Sequence, residues 1–280
     1  MSTEFRAMSS RHLAQAVSLT QNLKWPHRLD DWQQALSLGE GIVAEEDGKL
    51  VGTILWWRWG DAYASLGLVI VADDWQGKGI GRRLMQAALA KLVGYHVRLH
   101  ATVMGKGLYE TLGFIATGVI EQHQCRELPE VKAVSPAEGV LLRPACREDA
   151  AMLVALEQLA HGQHRPMLID SLLNSSSRFL LLERAGRIVG FACQRPFGHG
   201  EAIGPVIAED LPQAKVLVSH LLSGLGGQFV RMDTERQTGL GDWLTTQGMP
   251  EVDHPIIMIR GTPWQPDGAR AFGLMTQAMA

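Results

Sequence analysis

Apolar residues change period several times along this chain, and the changes mark its elements. Leu66 to Ala72 is an unbroken apolar run of strand length. It gives way to the polar stretch Asp73-Asp74-Trp75-Gln76-Gly77-Lys78-Gly79-Ile80-Gly81-Arg82-Arg83. Beyond it Leu84, Met85, Ala88, Leu89 and Leu92 recur at helical spacing, which predicts a helix over 79–93. Val97 to Ala101 returns to a strand pattern. Strand, glycine turn, helix and strand in this order predict a crossover joining two parallel strands. Upstream, Trp56, Trp57 and Trp59 lie on one predicted strand, with Trp57 and Trp59 on one face and Trp56 and Arg58 on the other.

The same succession recurs. Phe5-Arg6-Ala7-Met8 and a helical pattern (Leu13, Ala16, Val17, Leu19) have counterparts in Leu142-Arg143-Pro144-Ala145 and Ala151, Leu153, Val154, Leu156. Glu46 to Gly52 mirrors Arg184 to Gly190, each reading as a hairpin around a tight glycine turn. Trp59-Gly60 mirrors Phe197-Gly198, and Gly67 to Ile70 mirrors Gly204 to Ile207. The offset stays at 137 or 138 residues (142 − 5 = 137; 184 − 46 = 138). We therefore expect two copies of one fold, residues 1–130 and 138–280, joined by the polar, proline-containing stretch 127–138.

Glycine at every second position of Gly77, Gly79 and Gly81 leaves a row of main-chain N–H groups unshielded. The helix that begins there adds its own unpaired amides and positive dipole end. The turn thus predicts an anion cradle suited to a diphosphate. A P-loop would require Lys-Ser or Lys-Thr after the last glycine, where Arg82 stands, and a dinucleotide fingerprint requires Gly-x-Gly-x-x-Gly. From the glycines alone, an ordinary strand-to-helix turn is an equal alternative.

Leu108-Tyr109-Glu110-Thr111-Leu112-Gly113-Phe114 follows about thirty residues downstream. With Gln76-Gly77-Lys78-Gly79-Ile80-Gly81 it resembles the GNAT superfamily of acetyl-CoA-dependent N-acetyltransferases, over roughly residues 3 to 122. The first segment matches that family's [Arg/Gln]-x-x-Gly-x-[Gly/Ala] pyrophosphate loop, the second its Tyr-Glu-x-Leu-Gly-Phe ending. The resemblance implies a mixed α/β (α+β) fold, each copy a twisted, largely antiparallel sheet flanked by helices. It implies direct transfer of an acetyl group from acetyl-CoA to an amine, with no metal. Gln76, Gly77, Lys78, Gly79, Ile80, Gly81 and Arg82 would hold the diphosphate. The edge at Leu68, Val69 and Val71 would pair with the pantetheine amides, a main-chain N–H near Val69 serving the oxyanion. Tyr109 would protonate the departing sulfur. Thr102 stands where many relatives carry asparagine against the pantetheine arm. The family's glutamate base has no counterpart in the strand 62–71, so Glu45, His100, Asp61, Tyr63 or a water chain are the candidates.

Carrying the repeat onward sets Gly77, Gly79 and Gly81 opposite Ala214, Val216 and Val218, and Leu244-Thr245-Thr246-Gln247-Gly248-Met249 opposite the tyrosine segment. The second copy is expected to have lost the cofactor site and to shape or cover the acceptor pocket. Trp25 and Trp32, in the helix–loop–helix region that roofs the acceptor in similar enzymes, join the strand tryptophans as candidate aromatic walls for a small, partly apolar amine, core packing being the alternative. A non-catalytic acyl-CoA sensor is the competing reading.

Composition narrows the rest. The 280 residues suit two medium domains, and a formal net charge of −3 gives no general attraction to nucleic acid or anionic membrane. Three cysteines without a CxxC, and a start without the order of a signal peptide, point to the cytoplasm. The expected partners are acetyl-CoA and the amine, the protein being a monomer or homodimer. His161-Gly162-Gln163-His164 lacks acidic or cysteine partners at ligand spacing and reads as a solvated loop. Trp264 to Ala280 is expected to pack back on a domain surface through Phe272, Leu274 and Met275.

Overall fold

The computed structural model describes residues 3–279. The first half runs β1 (Glu4–Ala7), α1 (Leu13–Asn22), α2 (Leu29–Leu38), β2 (Glu40–Glu46), β3 (Lys49–Trp59), β4 (Tyr63–Val71), α3 (Ile80–Lys91), β5 (His96–Ala101), α4 (Lys106–Glu110) and β6 (Ile115–Cys125). The second repeats it as β7 (Val140–Pro144), α5 (Ala150–His161), α6 (Pro166–Leu173), β8 (Arg178–Arg184), β9 (Arg187–Phe197), β10 (Gly200–Ala208), α7 (Leu211–Leu222), β11 (Val230–Glu235), α8 (Leu240–Thr246), β12 (Glu251–Asp253), β13 (Ile256–Arg260) and β14 (Arg270–Gly273). Both expected hairpins form. Their turns, Asp47-Gly48 and Ala185-Gly186, have positive φ at both residues, the geometry that suits the strand twist.

The fold is mixed α/β around one largely antiparallel sheet with the order β1-β2-β3-β4-β5-β13-β6-β11-β10-β9-β8-β7. Its two parallel pairs are β4 with β5, crossed over through α3, and β10 with β11, crossed over through α7. The halves exchange strands at the centre. β13, from the end of the chain, lies between β5 and β6, pairing Ile256 with Ala101 on one side and with Val119 on the other. β6 runs on into the second half, where Ile120 to Cys125 pair with Glu235 to Val230. The helices α1, α2, α5 and α6 share one core that spans both halves, from Leu13, Trp32 and Trp57 to Leu153, Leu168 and Phe191. The stretch 127–138 is tied down as well. Leu128 and Val131 are buried in the second core, and the Val134 N–H donates to Ser219 Oγ at 2.9 Å.

The repeat departs from the expected register in one informative place. In the first half eight residues, 72–79, separate β4 from α3; in the second only Glu209 and Asp210 separate β10 from α7. The glycine turn is therefore missing from the second copy, and the glycines have no counterparts at Ala214, Val216 and Val218. A local periodicity carries no mark of such a gap, because α7 keeps its apolar face. Asp210 takes the N-cap instead, its carboxylate accepting from the Gln213 N–H at 2.8 Å, while Pro212 removes a donor. A negative charge now stands where a diphosphate would need a positive one.

The C-terminal stretch also departs from expectation. It enters the sheet rather than coating a surface. β14 pairs with β10 (Ile207 with Ala271, Ala208 with Arg270), and the Leu274 N–H donates to the Asp233 carbonyl of β11 at 2.9 Å. It fills the gap between two parallel strands that diverge, the place that corresponds to the splay of β4 and β5 in the first half. From there the chain returns to the first half. The Gln277 carbonyl accepts from His100 Nδ1 at 2.7 Å, and Ala278 packs so closely on Gly67 that an added Cβ would lie 2.8 Å from its Cα. No helix among the described residues is long and apolar enough to cross a membrane.

Candidate active site

β4 and β5 pair only from Tyr63 with His96 to Ser65 with Arg98, after which β4 has no paired strand on that side. A bulge sits where they part. Between the pairs Leu55–Gly67 and Thr53–Ile70 the register shifts, and Leu68 takes a positive φ of 51°. The Thr53 hydroxyl fixes the bulge by donating to the Leu68 carbonyl at 2.8 Å. The outcome is an open edge at Leu68, Val69 and Val71 above a gap between strands.

The turn at the far end of β4 presents a row of unpaired main-chain amides. Gln76 braces it, its Nε2 donating to the Val71 carbonyl at 3.2 Å and to Asp73 Oδ1 at 3.0 Å. Gly77 and Gly79 have φ of 73° and 78°, and a Cβ on either would meet nothing within 4 Å. No acceptor among the described residues meets the main-chain N–H groups from Gly77 to Arg82, since the pairing resumes with Arg83 N–H on the Gly79 carbonyl. Ile80 is buried and anchors the turn to the core, while Lys78 and Arg82 are exposed beside it. Lys78 Nζ lies 4.1 Å from the centre of the Trp75 ring.

Tyr109 is 8 % exposed, packed edge-on to Phe114 with ring centres 6.1 Å apart. Burial raises its phenol to about 12, so it stays a proton donor at neutral pH. Thr102 is its neighbour across Gly105. A Cβ on Gly105 would stand 3.0 Å from the Tyr109 ring edge and 3.5 Å from Thr102 Oγ1. Thr102 caps the turn into α4, accepting from the Gly105 N–H at 3.2 Å.

The base candidates are placed otherwise. His100 is sealed at both nitrogens. Arg98 Nε donates to its Nε2 at 3.1 Å, which leaves Nδ1 as the N–H that bonds Gln277. Burial, with the Arg98 charge, holds it well below the usual imidazole range. Glu45 lies by the β2–β3 turn among Arg6 (3.3 Å), Arg11 (3.7 Å) and His12 (3.4 Å). Tyr63 packs on His96 and Trp264, and Asp61 is an exposed turn residue.

Between the halves lies a cavity of about 450 Å³. The first half gives it Gly67, Leu68, His100, Thr102 and the α1–α2 loop from Leu23 to His27; the second gives it Arg195, Phe197, Ile203, Arg231 and Asp233; Leu274 to Ala278 close it. The sequence reading missed the charged wall. Its one signal was Arg195, a cation inside the apolar strand from Ile188 to Phe197. The tryptophans behave differently from the aromatic walls considered above. Trp32, Trp56, Trp57 and Trp59 are all buried core residues, with Trp57 Nε1 on the Ala35 carbonyl (2.8 Å) and Trp59 Nε1 on Ser65 Oγ (2.7 Å). Trp25 alone among the eight borders the cavity. The stretch 161–164 is not a solvated loop either. His161 ends α5 within a buried cluster, where Arg165 Nε donates to Glu157 Oε2 at 2.8 Å, and Gln163 is 4 % exposed.

Comparison with known proteins agrees with this geometry. Residues 37–116 and 153–273 each match an acetyltransferase (GNAT) domain family. An uncharacterized N-acetyltransferase, YitH, of Bacillus subtilis is 25 % identical over 99 % of this chain and 98 % of its own length. A candidate acetyltransferase of Pyrococcus horikoshii has the same fold, with a TM-score of 0.80 at 18 % identity over 99 % and 96 % of the two chains. A tandem GNAT protein from the clavulanic acid biosynthesis pathway superposes with a TM-score of 0.68 at 13 % identity, over 95 % and 100 %. With one such domain in each half, an open strand edge and a bare amide row, this chain is a tandem-domain N-acetyltransferase of the GNAT superfamily.

Proposed function

We propose that the first half, residues 1–130, binds acetyl-CoA and transfers its acetyl group directly to the amine of a small, partly apolar molecule held between the halves. In this reading the second half, 138–280, is a degenerate copy that walls the acceptor and binds no coenzyme. The observation that carries the proposal is the succession along one stretch of chain of a cavity-lining bulge at Leu68, an open edge to Val71, and the unpaired amides of Gly77 to Arg82.

Each demand of the reaction then falls to a residue of this chain. The amides of Gly77 to Arg82 hold the diphosphate, with Lys78 and Arg82 adding charge and Gln76 bracing the turn. Leu68, Val69 and Val71 receive the pantetheine arm as a strand edge receives a peptide, and Thr102 lies beside it. The Val69 N–H stabilises the developing oxyanion. Tyr109 donates its proton to the leaving sulfur. The His100 nitrogens and the Glu45 carboxylate are already engaged by neighbouring groups, so the amine proton passes to cavity water. The mixed wall of Leu68, Phe197 and Ile203 with Thr102 and Asp233 supports a partly apolar acceptor.

The test is Tyr109→Phe in the full chain, followed by the release of free thiol in the presence of an amine. Loss of a positioned acid predicts a fall in turnover of about 100-fold or more. Coenzyme affinity by calorimetry should hardly change, because the phenol is not in the diphosphate cradle. Undiminished turnover would take Tyr109 out of the mechanism; failure of the wild-type chain to bind CoA would overturn the proposal.

A further inference from the structure

The cavity wall contains one buried cation with no counter-charge among the described residues. Arg195, on β9, is 4 % exposed and borders the cavity. Its Nη2 donates to the Met275 carbonyl at 2.5 Å. Its Nε–H is buried without an acceptor, and no carboxylate of the described residues comes within ion-pair distance. The neighbouring Arg231 is unlike it. That guanidinium grips Asp233 with two bonds of 3.1 Å, and Gln277 also donates to the same carboxylate at 2.9 Å. Asp233 is thus fully engaged. The Phe197 ring lies between the two guanidiniums, 4.9 Å from Arg195 Cζ and 5.6 Å from Arg231 Cζ. His27 stands edge-on to the same ring at 5.4 Å, its Nδ1 also buried and unpartnered.

A buried charge is ordinarily paired, because desolvation disfavours it otherwise. Burial lowers Arg195 to about 10, which leaves it charged at neutral pH. The fold therefore sustains an unpaired cation in the wall of the cavity between the halves. We propose that the acceptor amine also carries a carboxylate, as an amino acid or compact amino-acid derivative does, and that this carboxylate docks on Arg195 while the amine faces the Leu68 bulge. The proposal rests on the reading of the cavity as the acceptor site. A carboxylate fits better than a phosphate, since a single planar guanidinium matches the charge and plane of two coplanar oxygens. The second buried cation that a phosphate dianion would call for is already neutralised by Asp233.

The full-length protein tests this against sets of three acceptors: each proteinogenic amino acid, its carboxamide, and its decarboxylated amine. At least one acid should be acetylated with kcat/KM about 100-fold or more above its two partners. Arg195→Met should bring the three within a few-fold of one another, leave CoA affinity unchanged, and raise the melting temperature, because it removes an unpaired buried charge. Arg195→Lys should restore part of the preference. A residue that serves packing alone would lower the melting temperature and leave the preference intact. If acids, carboxamides and amines are acetylated alike, or none of the acids is acetylated or shifts the melting point while CoA still binds, the carboxylate proposal falls and the cofactor reading stands. If CoA does not bind, the cofactor reading itself has failed.

Discussion

Gly77→Ala separates what the turn between β4 and α3 does for the fold from the coenzyme role proposed for it. Gly77 has φ of 73°, and an added Cβ meets nothing within 4 Å, so the methyl causes no clash. The folding penalty is the left-handed backbone alone, about 1–2 kcal/mol for an L-residue. For a chain of this size that lowers the melting temperature by roughly 2–8 °C. The methyl does, however, stand over amides that have no protein acceptor. Shielding one or two bonds to a charged oxygen, at about 1.5–3 kcal/mol each, weakens CoA binding by roughly 10- to 100-fold or more. Gly48→Ala supplies the control. Gly48 sits in the β2–β3 turn at φ 75°, also with nothing within 4 Å of an added Cβ, and so bears the same backbone strain away from the site. Calorimetric titration with CoA beside thermal melting should show similar melting losses and a weakened affinity only for Gly77→Ala. Equal, wild-type affinity in both variants would refute the assignment of this turn to the diphosphate.

Three further outcomes come from the packing. Glu157→Gln strands the buried Arg165 guanidinium and should cost about 3–5 kcal/mol in denaturant unfolding; the ion pair is 0 % and 2 % exposed, and the Arg165 charge overcomes burial to hold Glu157 at about 2. Burial, with the Arg231 charge, lowers His27 to about 4 from an ordinary 6.5, so the unfolded chain binds its proton first and stability present above pH 6.5 is lost as pH falls toward 4, by about 3 kcal/mol at most. His27→Gln should flatten that part of the pH–stability curve, leaving the same-signed shares of His100 and His161, and an unchanged slope would disprove the assignment. Gly204→Ala places a Cβ 1.9 Å from the Leu274 carbonyl oxygen, which must push the tail and alter the acceptor KM while CoA affinity stays.

What could be read in the sequence was local. The crossover from β4 through α3 to β5 was legible because an apolar run, a glycine turn and a helical period succeed one another within about forty residues. The paired hairpins were legible because Asp47-Gly48 and Ala185-Gly186 each stand between two strand patterns. The strand exchange was not. Ile256 to Arg260 is a short apolar segment that would suit either half, and only the completed sheet decides that it lies between β5 and β6. The deletion before α7 was hidden for a related reason. Its helix starts 131 residues after α3 (211 − 80), although the strands before it keep an offset of 137 or 138. Strand tryptophans fit a core and a ligand wall equally well, and Trp57 and Trp59 face a core shared by both halves that no single half reveals.

The second half's lost site is connected to the first half's acceptor. With no glycine turn before α7 and Asp210 as its N-cap, the gap between β10 and β11 lacks the amide row found beside the gap between β4 and β5. β14 fills it, so the gap is closed by chain rather than coenzyme. That filling sets the direction of the chain beyond Gly273. Leu274 to Ala278 must leave between the halves, and there they supply the carbonyl that fixes the His100 tautomer, the carbonyl that holds Arg195, and the contact beneath Gly67. The wall of the cavity is therefore made by the very segment that fills the gap between β10 and β11. For the same reason the halves do not part cleanly. A fragment ending near residue 130 would lack β13 between β5 and β6, and one starting near 138 would lack the β6 partner of β11, so each would expose unpaired strand edges. Acceptor selection, on the reading proposed above, and folding are thus tied to the same exchanged strands, and substitutions among Leu274 to Ala278 will be felt at Leu68 through the cavity wall they share.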